Sequence, residues 1–261
     1  MTGRIIAIAN QKGGVGKSTT AINLATSIAA TGTPALVIDL DPQGNASTGL
    51  GVPQSRRELG AYRLLTSSGS AARAVQPTAV PHLSVIAADA QLAGAEVELA
   101  GADRRERRLA DALARLKLPG GVVLIDCPPS LGILTLNALT AADAVLVPLQ
   151  CEFFALEGLS QLMRTVERVR RSFNPKLDVQ GIVLTMFDRR NNLSELVAAD
   201  ARAFFGSKVY ETVIPRSVRV SEAPSHGKPV VLYDHRSAGA QAYVRLAGEF
   251  LHRERAVHAS A

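Results

Sequence analysis

Residues 12–20 read Lys-Gly-Gly-Val-Gly-Lys-Ser-Thr-Thr, which sets Lys12 and Lys17 five positions apart in a glycine-rich run. Such a run suits phosphate. Glycines let successive backbone N–H groups approach an anion without a Cβ in the way, and a helix that follows adds the positive end of its dipole. In the pattern G-x-x-x-x-G-K-[ST] the lysine reaches the β/γ-phosphates and the hydroxyl ligates Mg²⁺. Lys17 and Ser18 fill those positions, although Gln11 stands where the pattern opens with glycine. Gly13, Gly14, Val15, Gly16 and Thr19 complete the expected cradle. One lysine suffices for that chemistry. Lys12 is therefore a second cation to be explained, with a solvated loop lysine as the plain alternative.

A loop of this kind needs a strand before it and a helix after it. Residues 4–9 form an apolar run of strand length, and 18–30 carry apolar residues at helical spacing. Further strands are expected over 34–39, 83–87, 121–126, 144–148 and 179–186. Helices are expected over 104–118, 131–141, 156–173, 194–205 and 238–252, while 51–81 is Ala/Ser/Gly-rich and carries little signal. The alternation predicts an α/β fold, a doubly wound, mostly parallel sheet with helices on both faces. Ligands then bind at the C-terminal ends of the strands.

The carboxylates that could act on a phosphate fall at such ends. Asp126 closes the apolar run 122–125 as a Walker B acid does, placed to accept from Mg²⁺-bound water and from the Ser18 hydroxyl. Asp39 and Asp41 stand two apart, so in extended backbone they share a side. Asp41 is assigned to orienting the attacking water and Asp39 to supporting the metal shell. The alternative for both is an Asp-Pro turn in which the carboxylate caps the backbone.

Composition narrows the class. At 261 residues the chain suits one sizeable domain, taken as 1–261 with a flexible tail over about 252–261. Hydrophobic residues make up 47% and aromatic ones 4%, which suits an Ala/Val/Leu-rich parallel sheet. Two cysteines, Cys127 and Cys151, form no C-x-x-C and are expected as buried thiols in a cytoplasmic protein. No apolar stretch has the length of a membrane span. The net charge of +6 makes a polyanionic partner plausible.

Several long strings now agree at once. K-G-G-V-G-K-S-T, D-L-D-P-Q-G-N, I-D-C-P-P-S, V-I-P-R-S-V-R-V-S-E-A-P-S-H-G-K-P, Gln91-Leu-Ala-Gly-Ala-Glu96 and the stretch 150–158 closely resemble the ParA/Soj chromosome-partition ATPases. These are deviant Walker A proteins of the P-loop NTPase fold, related to MinD. The resemblance runs over about 3–250. Departures are Ser18 where Thr is commoner, which keeps the hydroxyl, and Arg189-Arg190-Asn191 where the family has Ala-Arg-Thr, which adds a charge.

The resemblance implies ATP as substrate, ADP as product and Mg²⁺ as cofactor. It implies that Lys12 reaches across a two-fold axis to ATP held by a second subunit, so that the homodimer forms on the γ-phosphate. Pro215 and Arg216 match positions beside the adenine, and 152–157 match a stretch near the dimer face. Partners implied are non-specific double-stranded DNA and a centromere-binding protein of the ParB/Spo0J type, with a nucleoid-associated location. Arg190 and Arg219 match DNA-binding positions, with Lys228 and Arg245 as additions. The basic runs 104–108 and 164–171 are interleaved with acids and apolar residues, and read as solvated helix faces. Three rivals are weighed. A MinD-like membrane ATPase would need an apolar, basic C-terminal helix, which 251–261 lacks. An iron–sulfur relative would need cluster cysteines. A non-hydrolysing ATP-gated module would have little use for Asp41 and Asp126.

Overall fold

The computed structural model describes residues 3–66, 71–116, 120–153 and 155–259. Parts of four expectations therefore lie outside the described residues: 1–2 and 260–261 of the domain and tail, 117–118 of a helix, and 154 of the string 150–158. The chain runs β1 (Arg4–Ile8), α1 (Lys17–Ala29), β2 (Ala35–Asp39), α2 (Asn45–Gly49), α3 (Ala61–Thr66), β3 (Gln76–Pro77), β4 (Leu83–Ile86), α4 (Ala95–Glu98) and α5 (Arg108–Arg115). It continues β5 (Val122–Asp126), α6 (Ile133–Ala141), β6 (Ala144–Gln150), α7 (Ala155–Ser172), β7 (Asp178–Thr185) and α8 (Asn192–Phe205). The helices α9 (Val218–Glu222), α10 (Val230–Tyr233) and α11 (Ala238–Ala259) close it.

Seven strands form one sheet in the order β3-β4-β2-β5-β1-β6-β7. All pairings are parallel except β3 with β4. Both faces are covered, because side chains alternate across each strand. Ile6 and Ile8, Val37, Leu124 and Leu146 face one cluster with α1, α10 and α11. Ala7, Ile38, Ile125 and Val147 face the other, with α3, α5, α6, α7 and α8. Strands buried on both sides read as unbroken apolar runs, which is why the central strands were legible.

The register carries the site. Ile8 pairs with Asp126, and Asp39 pairs with Asp126 from the other side. The ends of β1, β2 and β5 therefore lie level, so the loop after β1 and the acids of β2 and β5 meet at one edge.

The structure adds to the sequence reading at three places. The helix expected from 104 begins only at Arg108: Arg104 has φ +52°, a single short turn covers 105–107, and the Asn137 amide bonds both Leu109 N and Arg105 O. The unreadable stretch holds the antiparallel edge strand β3, too short to leave a pattern. The tail taken as flexible from about 252 continues α11 to Ala259. Glu254 is buried against Arg4 at 3.2 Å, and Arg253 donates to Val209 O at 3.1 Å and lies over the Tyr210 ring. Tertiary partners, absent from the local pattern, hold Arg253 and Glu254.

Packing between strand starts is equally tight. A Cβ on Gly121 would lie 2.0 Å from Pro34 O, the carbonyl that accepts from Val122 N. Gly121→Ala is expected to lower stability by about 1–3 kcal/mol through forced backbone displacement. Urea unfolding reads this as a lower midpoint; an unmoved midpoint would show that the β2–β5 start yields freely.

Candidate nucleotide site

The loop after β1 needs backbone that most residues avoid. Gly14 and Gly16 have φ +75° and +91°, and Gly16 is the N-cap of α1. A side chain at either would be strained, whereas glycine enters that region freely. Side chains outside the motif then fix the loop to the sheet. Asn10 donates to Pro148 O at 2.8 Å and accepts from Lys12 N at 3.0 Å, tying the loop to β6. The Thr185 hydroxyl donates to Val15 O at 2.8 Å, tying it to β7. Asn23 bonds Thr19 O and accepts from Val230 N, and Thr20 meets the Tyr243 hydroxyl at 3.4 Å. None of these four positions was singled out from sequence, because each acts through a partner more than 130 residues away.

Gly13, Gly14, Gly16, Lys17, Ser18 and Asp41 line one cleft of about 520 Å³. Lys17 is 6% exposed, and its ammonium donates to Lys12 O at 3.0 Å. Burial pushes its pKa down, while the charge of Asp126 pulls the other way. Lys12 behaves differently: it is half exposed and pairs with Glu152 of its own chain. The two lysines thus occupy unlike environments, one inside the cleft and one at its outer edge.

Asp41 is buried at the cleft wall, with Oδ1 accepting from Gln43 N at 3.0 Å. Asp39 is fully enclosed. Its Oδ2 accepts from Ser47 N and Ser47 Oγ, both at 2.7 Å, and Oδ1 accepts from Asp41 N at 3.2 Å. These bonds cap the start of α2, so the capping alternative describes Asp39 better than metal-shell support. Burial pushes its pKa up to about 6 against those hydrogen bonds.

Asp126 is the outlier. Both carboxylate oxygens are shut off from solvent and neither has a hydrogen-bond partner. Burial first, then the charge of Asp39, holds its pKa well above the usual carboxylate range; the nearby Ser18 hydroxyl opposes this only in part. An ionised carboxylate left so is costly, and a cation or its waters would repay the cost. Among the described residues no three His, Cys, Asp or Glu side chains gather as a metal site. That donor set fits Mg²⁺, which takes one or two protein oxygens and fills its shell with water and phosphate. Both cysteines are free and buried, and burial pushes both thiols up, Cys151 to about 11, so neither is a nucleophile or ligand at neutral pH.

Pro215 and Arg216 do not line this cleft. The chain after β7 carries Met186 into it, and the next residue, Phe187, into a second cavity of about 650 Å³. Phe187 N donates to Ile214 O and Arg216 N to Phe187 O, which seats Pro215 and Arg216 in that second cavity. Arg190 and Arg245 line it too, with Arg189, which the sequence reading did not select. Arg190 is 88% exposed on its side chain and clasps Asp188 through Nε and Nη2 at 3.0 and 2.9 Å. Arg219 and Lys228 lie elsewhere: Arg219 bonds Glu222 at 3.0 Å and faces Asp234 at 3.5 Å, and Lys228 is exposed. Of the four cations matched to DNA-binding positions, Arg190 and Arg245 line that cavity, and Arg219 and Lys228 do not.

Parallel sheet, glycine loop at a helix start and strand-end acids define a P-loop nucleotide-binding protein, and the second lysine narrows that to the deviant Walker A kind. Residues 3–179 match the family model described as an AAA domain. The chain is 62% identical over 254 residues to the chromosome partitioning protein ParA of Caulobacter vibrioides strain NA1000 / CB15N, covering 97% of this chain and 95% of that protein. It is 52% identical to the sporulation initiation inhibitor protein Soj of Bacillus subtilis, covering 95% and 98%. Among solved structures it resembles cobyrinic acid a,c-diamide synthase from Mycobacterium smegmatis with bound ATP analog and magnesium, at 36% identity and TM-score 0.84 over 97% of this chain and 96% of that one. The chain belongs to the ParA/Soj family of chromosome-partitioning ATPases.

The acids have a consequence for pH. A carboxyl whose folded pKa is raised binds its proton more tightly folded than unfolded, so stability is lost as pH rises through the window between the two values. For Asp39 that window runs from 3.8 to about 6. Without nucleotide, the urea midpoint should fall across it, and Asp126→Asn should reduce the fall by removing a second reluctant charge. An equal fall in wild type and variant would mean that Asp126 ionises without cost.

Proposed function

We propose that the chain is an ATP-driven DNA-partition switch that segregates a chromosome or plasmid. The observation that carries this reading is the loop itself: Lys17 inside the cleft, Lys12 half exposed and paired with Glu152, and Asp41 lining the cleft with Asp126 buried beneath it. The similarity to the chromosome partitioning protein ParA supports the partitioning role, and the neighbour solved with an ATP analog and magnesium supports the choice of cofactors.

Lys17 and the loop N–H groups hold the β/γ-phosphates, exchanging the Lys12 carbonyl for phosphate oxygen. The Ser18 hydroxyl, with Asp126 behind it, would hold Mg²⁺, which would supply neutralisation of phosphate charge. Lys12 leaves Glu152 and crosses to the nucleotide of a second copy, so dimer affinity depends on the γ-phosphate. Asp41 accepts a hydrogen bond from the attacking water and fixes its line of approach. The ATP dimer holds duplex DNA without reading sequence, through arginines that pair with phosphates. A ParB-type partner stimulates slow hydrolysis, the ADP dimer parts, and DNA is released. The working location is the nucleoid in the cytoplasm. Asp39 acts by holding α2 and so the 41–45 segment, and is given no place in the metal shell.

The test is binding to an unrelated duplex with ATP, with ADP and without nucleotide, over a salt series. Binding confined to ATP and lost steeply with salt is expected; no binding in any state would sink the DNA reading. Lys17→Ala should abolish nucleotide-dependent behaviour. Asp41→Ala should dimerise with ATP and hold DNA while hydrolysis falls by a factor of about 10² or more. Failure of that variant to dimerise would remove Asp41 from the water-positioning role.

A further inference from the structure

The two basic helical runs of the sequence look alike on paper and differ in the fold. In the run 104–108 every arginine has a protein partner: Arg104 with Asp111, Arg105 with Glu106 and Ala100 O, Arg107 with Phe173 O, Arg108 with Asp103 O. In α7 the guanidinium groups of Arg164, Arg168 and Arg171 make no hydrogen bond or ion pair with the described residues. All three are exposed, and they line a shallow groove of about 510 Å³. Their spacing of four and three places them on one helix face.

We propose that this face of α7 is a second contact surface for the DNA phosphate backbone. The proposal rests on the DNA reading above. At 1.5 Å per residue, Arg164 and Arg171 lie about 10 Å apart along the axis. One DNA strand offers a phosphate every 3.4 Å of rise, so the ridge spans about three. Among the described residues, the only acid in the groove is Glu167, and its Oε1 accepts from Arg170 Nη1 at 2.7 Å, which offsets its charge locally. Arg107, bonded to Phe173 O at 3.0 Å, brings a further cation to the C-terminal end of α7. Arg190 and Arg219 must give up carboxylates of their own chain before taking phosphate, whereas the α7 arginines give up only water.

The chemistry of the face suits a nucleic-acid backbone better than a lipid or protein surface. Its apolar content is the half-buried Met163, with none of the exposed aromatic or aliphatic anchors that membranes and protein partners use. Planar, permanently charged forks at phosphate spacing suit a backbone read without sequence.

The experiment compares wild type with the variant R164Q/R168Q/R171Q, both as full chains with ATP on a random duplex across a salt series. Dimerisation and basal ATPase serve as controls and should not change. The variant should bind about tenfold or more weakly near 100 mM salt, with the slope of log affinity against log salt shallower by about 2–3, one unit per lost phosphate contact. R164K/R168K/R171K should restore most of that slope. If wild type binds and the glutamine variant matches it in slope and affinity, the ridge is overturned and the DNA reading stands. If wild type binds no DNA in any nucleotide state, both fall. Unchanged DNA binding with lost binding to phosphatidylglycerol vesicles would overturn the proposal in favour of a lipid-facing surface.

Discussion

Asp126 is a carboxyl whose burial disfavours its charge, set at the end of a parallel sheet, and much of the site is arranged around that fact. Its two oxygens are buried and unpartnered, Asp39 stands level with it on β2, and Asp41 follows two residues later. Three acids so close cannot all ionise cheaply in low dielectric. Asp39 is relieved by the Ser47 amide and hydroxyl at the start of α2, and Asp41 by the Gln43 amide. For Asp126 the protein supplies only Lys17 at a distance and the Ser18 hydroxyl nearby, which offset its burial in part. The incomplete satisfaction is what gives the cleft its appetite for a cation.

The loop that faces these acids is held as a rigid body. Asn10 fastens it to β6, Thr185 to β7, and Asn23 and Thr20 fasten the helix behind it to α10 and α11. Preorganised donors cost no rearrangement when phosphate arrives, which is where electrostatic stabilisation gains its strength. The same ties make the cleft the meeting point of segments from both ends of the chain. A change at the phosphates is thereby placed in contact with α10 and α11 and with the 186–190 segment that carries Arg190.

Charge on the outer surface follows a different economy. Exposed ion pairs such as Arg190 with Asp188 contribute little to stability, because water already solvates both partners. Their effect is on availability: a guanidinium clasped bidentately by its own chain must be released before it can bind elsewhere. Arg190 is occupied in this way, and Arg219 and the arginines of the run 104–108 are held by other partners of the chain, while α7 keeps three arginines open on one face.

The phosphate loop, the strand-end acids and the three-layer α/β architecture were legible in the sequence, since each rests on local pattern: glycines at fixed spacing, apolar runs of strand length, helical periodicity. The reach of the last helix, the break at Arg104 and the seat of Pro215 and Arg216 in a second cavity were not. Each depends on a partner remote in sequence: Arg4 for Glu254, Asn137 for Arg105, Phe187 for Arg216. Charge shows the same division. The sequence by itself determined how many cations the chain carries and at what spacing, and only the tertiary structure decided which of them are already spent, because pairing is set by distance in space.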